Sequence, residues 1–463
     1  MNQLINREQE LEYLEEKYRE PSSQFIILYG RRRIGKTFLL THFIKDKPHV
    51  YFLCEKTTER MNLLKLAERA SILLKVESFK RIPFRDFEDL FTEFTKQLKT
   101  KERVVIVLDE FPYLVELNPG ISSVFQRIWD LNLSKRKDIM LILCGSSIGM
   151  MESLLSYRNP LYGRKTGQWK VSELSLLKLN DFFPGLTLEE MIKIYACVDG
   201  IPFYLLMFDP RRNVFQNIYN LFLRKGGQLH EEGENLLRQE LREPKNYELI
   251  LNAISEGNRR LSEIRNATGL DKAAVSRYLN TLKTLGIVKA ELPIFAPLKA
   301  KRNLYYISDN FFNFWFRYVY PNKDKIEEGR SEEVLDFIKS DFNRYLGYVF
   351  ERVVRKIIPK KSLPFSFSRI GRWWHKDKEI DLIALNEKSM RIAFFEIKWT
   401  RLRSYNRGKR ILKELEEKAK HVKWKDEKRR EYFGLIVKRV DPRVKEKLKG
   451  EGYLILDLLD FFE

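Results

Sequence analysis

Three segments in the first half of the chain are apolar at almost every position. They are FIIL at residues 25–28, VVIVL within residues 103–111, and IMLILC at residues 139–144. A strand that shows no alternation of polar and apolar residues is typical of a central parallel sheet that is buried on both faces. An apolar-periodic helix follows the first segment, so the pattern predicts an α/β fold with a parallel sheet.

A helical pattern begins near residue 246 and predicts three helices followed by two strands, IVKAEL and NLYYIS. In the third helix Asp271 is placed as N-cap, and Val275, Leu279, Leu282 and Leu285 form one apolar stripe. This order of elements resembles a winged helix-turn-helix. The aromatic run NFFNFWFRYVY that follows at residues 310–320 predicts a core helix.

The winged helix has two open roles. In DNA-binding members the recognition helix presents its N-terminal residues to the major groove, which here are Lys272, Ser276, Arg277 and Asn280. Basic residues around the wing favour phosphate contact; they are Lys283, Lys289, Lys299, Lys301 and Arg302. The alternative is a structural or regulatory module that packs on the domain preceding it in the chain.

A third pattern begins near residue 335, with an amphipathic helix and then the hairpin KEIDLIALNEKSMRIAFFEIKWT at residues 378–400. Side chains alternate between the faces of a strand, so Glu379 shares a face with Asp381, and Glu396 shares one with Lys398. If the strands pair, Asp381, Glu396 and Lys398 converge, and two carboxylates and a lysine suit metal-assisted phosphodiester cleavage. A catalytically silent relic and a hairpin with solvated charges are the alternatives.

The strongest motif follows the first apolar strand as Gly30-x-x-x-x-Gly35-Lys36-Thr37, which is the P-loop pattern between a strand and a helix. Lys36 is predicted to reach the β- and γ-phosphates of ATP, and the Thr37 hydroxyl to bind Mg²⁺. The residues predicted to hold the nucleotide here are Gly30, Arg31, Arg32, Arg33, Ile34, Gly35, Lys36, Thr37 and Phe38.

Polar residues at the ends of the other two apolar strands add catalytic candidates. Asp109 is predicted to hold Mg²⁺ through its water shell and Glu110 to polarise the attacking water. Ser146 and Ser147 end the third strand, where a polar side chain can sense the γ-phosphate or simply close a turn. Arg164 is a candidate for contact with the γ-phosphate, in its own subunit or in a neighbouring one, with a plain surface arginine as the alternative.

Composition changes the picture at two points. The net charge of +21 favours an anionic partner, most plausibly nucleic acid, over the Lys/Glu-rich surface that hyperthermophiles favour. No apolar run is long enough for a membrane span, the N-terminus is charged from its start, and the three cysteines lie far apart. A cytoplasmic protein with reduced thiols and no membrane partner is therefore expected.

Six stretches occur in the order found in archaeal AAA+-like ATPases of the STAND-related group, and residues 1–240 resemble that family. They are LINREQELEYL, YGRRRIGKT, VLDEFPYL, LCGSS, PLYGRKTG and DGIPFYL. The resemblance implies ATP binding and hydrolysis, with Asn6 and Arg7 beside the adenine and with a homo-oligomer as one assembly that fits. Where this family commonly doubles a glycine, the chain has Asp199-Gly200.

The last 120 residues or so resemble the PD-(D/E)xK nuclease fold and archaeal Holliday-junction resolvases, through EIDLIA and EIK. This resemblance implies that Glu351, on the preceding helix, completes a metal site with Asp381 and Glu396. The predicted organisation is an ATPase core (1–175), a helical lid (176–240), a winged helix (241–325) and a restriction-endonuclease-like α/β domain (330–463). Two functions follow as hypotheses, an ATP-dependent DNA-processing protein and a STAND-type signalling switch with a silent nuclease-like domain.

Overall fold

A computed structural model describes residues 5–241, 243–297, 303–358, 363–425 and 428–461. They form two compact units. Unit 1 runs to Leu174 and also includes Ile201–Leu206, whereas unit 2 comprises Ser175–Gly200 and the chain from Met207 onward. Within these ranges, no helix is both long enough and apolar enough to cross a bilayer.

The described part of unit 1 is built on a five-stranded parallel sheet in the order β2-β3-β4-β1-β5. Its strands are β1 (Gln24–Tyr29), β2 (His49–Leu53), β3 (Val104–Asp109), β4 (Ile139–Gly145) and β5 (Gly167–Lys170). Phe25 and Ile27 of β1 pack into the core on one face, and Ile26 and Leu28 pack into the core on the other. Burial on both faces explains why these strands show no alternation, and the predicted parallel sheet is confirmed.

Helices cover both faces of this sheet. The α-helices are Glu8–Arg19, Lys36–Ile44, Glu59–Leu74, Phe87–Gln97, Pro112–Leu117, Ile121–Arg127, Ile148–Leu154 and Pro202–Leu205, with a 3₁₀ turn at Glu77–Arg81 and a π-helical turn at Ile128–Leu133.

Unit 2 opens with helices of the predicted lid region. They are Leu188–Val198, Val214–Ile218 and Glu232–Glu240, with a 3₁₀ turn at Leu176–Asp181 and a π-helical turn at Tyr219–Leu223. The aromatic segment lies across them as Asn310–Phe314, the π-helical turn Trp315–Val319, the 3₁₀ turn Tyr320–Asn322 and the helix Lys323–Glu327. Trp315 is fully buried, and its Nε1 donates a hydrogen bond of 2.9 Å to the His230 carbonyl. The predicted core role of these aromatics is confirmed.

The winged helix forms as the pattern predicts. Its helices are Lys245–Ser255, Leu261–Thr268 and Lys272–Thr284, and its wing pairs β6 (Val288–Glu291) with β7 (Leu304–Ile307) in antiparallel fashion. Asp271 caps the third helix by accepting hydrogen bonds from the backbone N–H groups of Ala273 (2.8 Å) and Ala274 (2.9 Å). Val275, Leu279 and Leu282 are buried, which confirms the predicted stripe.

The last part of unit 2 holds, among its described residues, a mixed five-stranded sheet in the order β12-β11-β10-β9-β8. Its strands are β8 (Arg369–His375), β9 (Lys378–Asn386), β10 (Arg391–Leu402), β11 (Arg430–Val440) and β12 (Leu454–Asp457). Its helices are Ser331–Ile357, Tyr405–Ala419 and Pro442–Gly450, with a 3₁₀ turn at Leu458–Phe461. β8, β9 and β10 are antiparallel, whereas β10, β11 and β12 are parallel, so an α/β domain follows the winged helix as expected.

Candidate functional sites

The P-loop joins the end of β1 to the helix Lys36–Ile44, and two glycines make its turn possible. Gly35 has φ +88°, a left-handed conformation in which a side chain would be strained. A Cβ at Gly30 would lie 2.3 Å from the Val171 carbonyl oxygen, so any side chain would collide with backbone. The helix then begins at Lys36, with its N-terminal N–H groups directed at the loop, as anion binding requires.

The side chain of Lys36 is buried inside the loop. Its Nζ donates hydrogen bonds to the carbonyl oxygens of Gly30 (2.8 Å) and Arg31 (2.9 Å). Burial lowers the Lys36 pKa, and the nearby charges of Glu110 and Asp109 oppose that shift. An ammonium group removed from water in this way gains from an anionic acceptor, and phosphate oxygens are such acceptors.

Thr37 and Asp109 come together as predicted for a magnesium site. The Thr37 hydroxyl donates a hydrogen bond of 2.7 Å to Asp109 Oδ2, and Asp109 is fully buried. Hydroxyl and carboxylate oxygens are the donors that Mg²⁺ prefers, so this pair fits the ion.

Tyr51 is a member of this site that sequence reasoning missed. Its hydroxyl donates a hydrogen bond of 2.8 Å to the same Asp109 oxygen. Burial and the Asp109 charge raise the Tyr51 pKa, so the hydroxyl stays protonated and remains a donor. Tyr51 lies on β2, which pairs with β3 in register. The sequence signal was weak, because a tyrosine in an apolar strand is usually a packing residue.

Glu110 is held by Ser146 from the neighbouring strand β4. One oxygen of the Glu110 carboxylate accepts hydrogen bonds from Ser146 Oγ (2.7 Å) and from the Ser146 backbone N–H (3.2 Å). Glu110 also has φ +53°, an uncommon conformation that turns it away from the strand direction. Ser146 was predicted either to sense the γ-phosphate or to close a turn, and the structure places it against the candidate base.

Asn6 and Arg7 are the residues predicted beside the adenine, and Arg7 contacts the P-loop. The Arg7 guanidinium donates hydrogen bonds of 2.9 Å to the carbonyl oxygens of Ile34 and Ser172, and it pairs with Glu10 at 2.7 Å. Asn6 is buried and has φ +58°. Arg7 therefore fixes the loop conformation, while a contact with adenine stays a prediction for both residues.

The remaining loop residues differ in their surroundings. Arg31 Nη1 lies 3.8 Å from a Glu173 oxygen, and Arg32 donates a 3.3 Å hydrogen bond to the Tyr113 hydroxyl. The Arg33 guanidinium stacks 4.3 Å from the centre of the Phe203 ring, within the same unit. Ile34 is buried and Phe38 is exposed, and contact of these residues with nucleotide stays a prediction.

Arg164 does not approach the P-loop of its own chain. Its Nε pairs with both Asp130 oxygens at 3.0 and 3.1 Å, and the backbone N–H of nearby Thr166 bonds to the Phe25 carbonyl at the start of β1. The loop leaves the opposite end of this six-residue strand, roughly 20 Å away. A contact with the γ-phosphate of the same chain does not fit this placement, because Arg164 lies near the amino ends of the parallel strands and the P-loop lies at their carboxyl ends. A contact in a neighbouring subunit stays a prediction.

The second candidate site lies where β9 and β10 separate. Their antiparallel pairing ends at Phe395 with Leu382, and one further step of this register would put Asp381 opposite Glu396. Asp381 Oδ2 instead accepts a hydrogen bond of 2.9 Å from the Ile397 backbone N–H. We call this site, formed by Asp381, Glu396 and Lys398 where the two strands separate, the fork. Asp381 and Glu396 are both buried, so the fork presents two desolvated carboxylates.

Two lysines neutralise this fork. Lys398 Nζ lies 2.8 Å from Glu396 Oε1 and 3.6 Å from Asp381 Oδ2. Lys418, from the helix Tyr405–Ala419, donates to both Glu396 oxygens at 3.1 and 3.2 Å. Burial opposes the Lys398 charge, but Asp381, Glu396 and Glu351 together raise its pKa. Lys418 was not predicted, because its contact depends on how the helix packs on the sheet.

Glu351 joins the fork electrostatically. Burial, and secondly the Asp381 charge, raises the pKa of Glu351 to about 7. Among the described residues, however, no group of three His, Cys, Asp or Glu side chains is arranged to hold a metal ion. The predicted cluster of Glu351, Asp381 and Glu396 is thus not formed as a ready coordination shell, because lysine ammonium groups hold the Glu396 oxygens.

The recognition helix presents a polar surface. Lys272, Arg277 and Asn280 are exposed and Ser276 is half-buried, while Lys283 at the end of the helix and Lys289 on the wing are also exposed. The other predicted wing contacts, Lys299, Lys301 and Arg302, lie outside the described residues.

Family profiles match three parts of the chain. They are described as "ATPase domain predominantly from Archaea" (residues 4–208), "Bacterial regulatory protein, arsR family" (residues 249–290) and "Archaea bacterial proteins of unknown function" (residues 315–411). The first profile identifies the nucleotide-binding ATPase domain, and the second covers the winged helix.

Similar solved structures include the Walker-type ATPase of Pyrococcus abyssi, at 23% identity and a TM-score of 0.49 over 68% of this chain and 96% of that one. Another is the ORC2 protein of Aeropyrum pernix in ADPNP–ADP complexes, at 14% identity and a TM-score of 0.46 over 71% of this chain and 96% of that one.

Relatives in sequence are found in Methanocaldococcus jannaschii. An "Uncharacterized ATP-binding protein", MJ0423, is 54% identical over 43 residues, which are 9% of this chain and 73% of that protein. The "Uncharacterized protein MJECL04" is 39% identical over 462 residues, which are 99% of each chain. Because that identity extends over both chains from end to end, the protein belongs to the same family of archaeal P-loop ATPases as this Methanocaldococcus protein.

Proposed function

We propose that the protein is an ATP-dependent DNA-processing enzyme, which hydrolyses ATP in unit 1 and engages and cuts DNA with unit 2. The observation that carries the proposal is the fork of β9 and β10. Two buried carboxylates and a lysine meet there, from strand positions whose register brings them together. ATP hydrolysis would control access to that fork.

The ATPase step follows from the residues around the P-loop. Lys36 would exchange its two carbonyl acceptors for phosphate oxygens, and Thr37 and Asp109 would hold Mg²⁺, which would supply charge stabilisation at the phosphates. Glu110 would accept a hydrogen bond from the attacking water, and Ser146 keeps that carboxylate in one orientation. A fixed orientation favours reaction because the group need not be positioned during each turnover.

The cleavage step would use the residues of the fork. Asp381 and Glu396 would hold a divalent metal ion, which would polarise a phosphodiester oxygen. Water would attack the phosphorus, and the P–O bond to one sugar would break as the departing sugar oxygen takes up a proton. Lys398 would leave Glu396 and place its ammonium beside the attacked phosphate. Lys418 would have to give up at least one Glu396 oxygen, which it now holds. DNA phosphate is the natural competitor for both lysines, so binding of DNA and opening of the fork would be coupled.

Recognition of DNA is assigned to the winged helix. Lys272 and Arg277 are exposed at the N-terminal part of the recognition helix, where DNA-binding members contact the major groove. The net charge of +21 supports attraction to a polyanion. Replacing Arg277 with Ala should weaken binding to all sequences if Arg277 contacts phosphate, with a salt slope smaller by about 1. Arg330→Ala, an exposed arginine far along the chain from this helix, is the matched control.

The decisive experiment is cleavage of plasmid, single-stranded and branched DNA with Mg²⁺ or Mn²⁺, with and without ATP. Wild type is compared with Asp381→Ala. Cleavage that is lost in the variant supports the proposal. Absence of cleavage by wild type on every substrate, together with negligible DNA affinity at low salt in both nucleotide states, rejects it.

A second function is favoured by one specific observation, the two lysines that occupy both oxygens of Glu396. A fork neutralised in this way suits a silent nuclease-like domain in a STAND-type switch, where ATP drives assembly of several copies. Arg164 would then reach the γ-phosphate of a neighbouring copy. Light scattering with ATP would reveal the assembly, and DNA that stays intact with Mn²⁺ would favour this alternative.

A further inference from the structure

Unit 2 contains a cavity of about 340 Å³ whose wall is rich in arginine. It lies between the wing, the turn after the first winged-helix helix, the helix Ser331–Ile357 and strand β8, so it is enclosed from several sides. Its volume falls at the lower end of the range for small-molecule sites, roughly 300–1,000 Å³. Its wall includes Glu351, the helix residue predicted for the nuclease-like centre, but neither of the functions considered above uses its arginines.

Two arginines of this wall, Arg372 and Arg355, each have a donor that the described residues do not satisfy. Arg372 is buried and pairs with Glu379 at 3.2 Å and, more loosely, with Glu291 at 3.8 Å, but its Nε has no hydrogen-bond partner among the described residues. Among the residues that the structure describes, Arg355 Nη1 also lacks a partner, and no carboxylate oxygen lies within ion-pair distance of Arg355 or Arg259. The Arg259 guanidinium instead lies 5.0 Å from the centre of the Tyr348 ring.

These groups also repel one another. Burial lowers the pKa values of both Arg259 and Arg355, and the charge of Arg372 adds to the effect on each. Glu291 and Glu351 oppose the shift at Arg355, and burial of Arg372 is outweighed by carboxylates, chiefly Glu351, that raise its pKa. Buried guanidinium groups with unused donors are costly unless an anion neutralises them. The unused donors in this wall would therefore be satisfied by an anion that carries several acceptor oxygens.

We propose that this cavity binds a small phosphate-bearing molecule of the size of a nucleoside monophosphate, as a second ligand site distinct from the P-loop. Arginine is suited to phosphate because its planar guanidinium group donates two parallel hydrogen bonds to the phosphate oxygens. The Tyr348 and Tyr306 rings line the same space and offer flat surfaces for a base or another planar group. A small ligand is favoured over a DNA strand, because elements surround the cavity on several sides and a strand needs an open groove.

The position of the cavity suggests what the ligand would do. Glu351 and Glu379 line it, and Glu351 also interacts electrostatically with Asp381 at the fork. A phosphate group held by Arg355 and Arg372 would compete with Glu379 for the Arg372 guanidinium and would offset the positive charge that both arginines present to Glu351. Ligand binding would in this way change the packing of the helix Ser331–Ile357 against the fork.

Binding is tested on the full chain carrying Lys36→Ala, so that the P-loop is silenced in every sample. The probes are inorganic phosphate, pyrophosphate, AMP and uncharged adenosine, with thermal stabilisation and calorimetry as readouts. We expect pyrophosphate and AMP to bind and adenosine not to bind. Affinity should fall by about tenfold or more in Arg259→Gln and in Arg355→Gln, since each loses a charged phosphate donor.

Three controls make the outcome decisive. Arg410→Gln, an exposed arginine on the helix Tyr405–Ala419, should bind as the parent does. Arg355→Lys keeps the positive charge but loses the planar guanidinium with its two parallel donors, and it should bind with intermediate affinity. The melting temperature without ligand shows whether each variant is folded. The proposal is overturned if no phosphate probe binds at millimolar concentration, or if binding is unchanged in both glutamine variants. It is also overturned if a short oligonucleotide, but no mononucleotide, depends on these arginines.

Discussion

Replacing Glu351 with Gln should stabilise unit 2 at alkaline pH, although the residue is a candidate for the nuclease-like centre. The amide keeps the shape of the side chain and removes a carboxylate that is hard to ionise there. Burial and the neighbouring Asp381 charge raise the Glu351 pKa to about 7 from an ordinary value of 4.5. The folded protein therefore binds a proton at this site more tightly than the unfolded chain does.

The sign and size of the effect follow from linkage. A raised carboxyl pKa favours the folded state below the unfolded value, and the advantage is lost as the pH rises through 4.5 to about 7. A shift of this size corresponds to roughly 3 kcal/mol at full ionisation. Between pH 5 and pH 8.5 the wild type should lose about 2–3 kcal/mol of unfolding free energy relative to the Gln variant.

The assay is denaturant unfolding of both proteins at the two pH values, with a chelator present to exclude metal ions. Five of the seven tryptophans belong to unit 2, so tryptophan fluorescence chiefly reports that unit. Glu332→Gln, an exposed position in the first turn of the same helix, is the matched control. Comparison of the variants at each pH cancels the titration of groups that do not interact with Glu351.

A stability difference between wild type and Glu351→Gln that stays constant within about 0.5 kcal/mol across this pH range would refute the reasoning. It would mean that Glu351 ionises in the folded protein as readily as in the unfolded chain. The fork would then be better solvated than its geometry implies.

Three further predictions concern unit 1. Lys36→Ala should abolish the thermal stabilisation that ATP gives to wild type, because the variant loses the buried ammonium that is predicted to bind the β- and γ-phosphates. Equal stabilisation in the variant would rule out this site. Ser146→Ala should lower kcat for ATP hydrolysis by about tenfold at unchanged nucleotide affinity, because it loses a charge-assisted hydrogen bond of about 1.5–3 kcal/mol that orients Glu110. Steady-state kinetics together with a binding titration separates the effect on kcat from the effect on affinity. An altered affinity with normal kcat would contradict the assignment. Arg164→Ala should bind ATP normally but hydrolyse it slowly, and mixing it with Lys36→Ala should restore part of the rate if Arg164 acts on a neighbouring copy. A mixture that stays inactive, together with an Asp130→Asn variant that is as slow as Arg164→Ala, would instead indicate a structural role for the ion pair.

The sequence by itself determined the features that depend on neighbouring residues. Gly30, Gly35 and Lys36 form a phosphate loop through their spacing in one turn, and the strand before it is apolar throughout because the sheet is buried on both faces. The hairpin behaved likewise only in part, since the period of two puts Glu396 and Lys398 on one side, whereas pairing of the two strands is needed to bring Asp381 to them.

Only the tertiary structure decided which distant groups meet. Tyr51 and Ser146 reach Asp109 and Glu110 because β2 and β4 are the strands next to β3, and an order of strands cannot be read from any one strand. Strand direction separates Arg164 from the P-loop. Because β5 runs parallel to β1, the start of β5 lies at the end of the sheet opposite to the P-loop. Arg259 and Arg372 lie more than a hundred residues apart in the chain, yet both line one cavity. Each looks like an ordinary surface arginine in sequence, because a place in the wall of a cavity is a property that only packing creates.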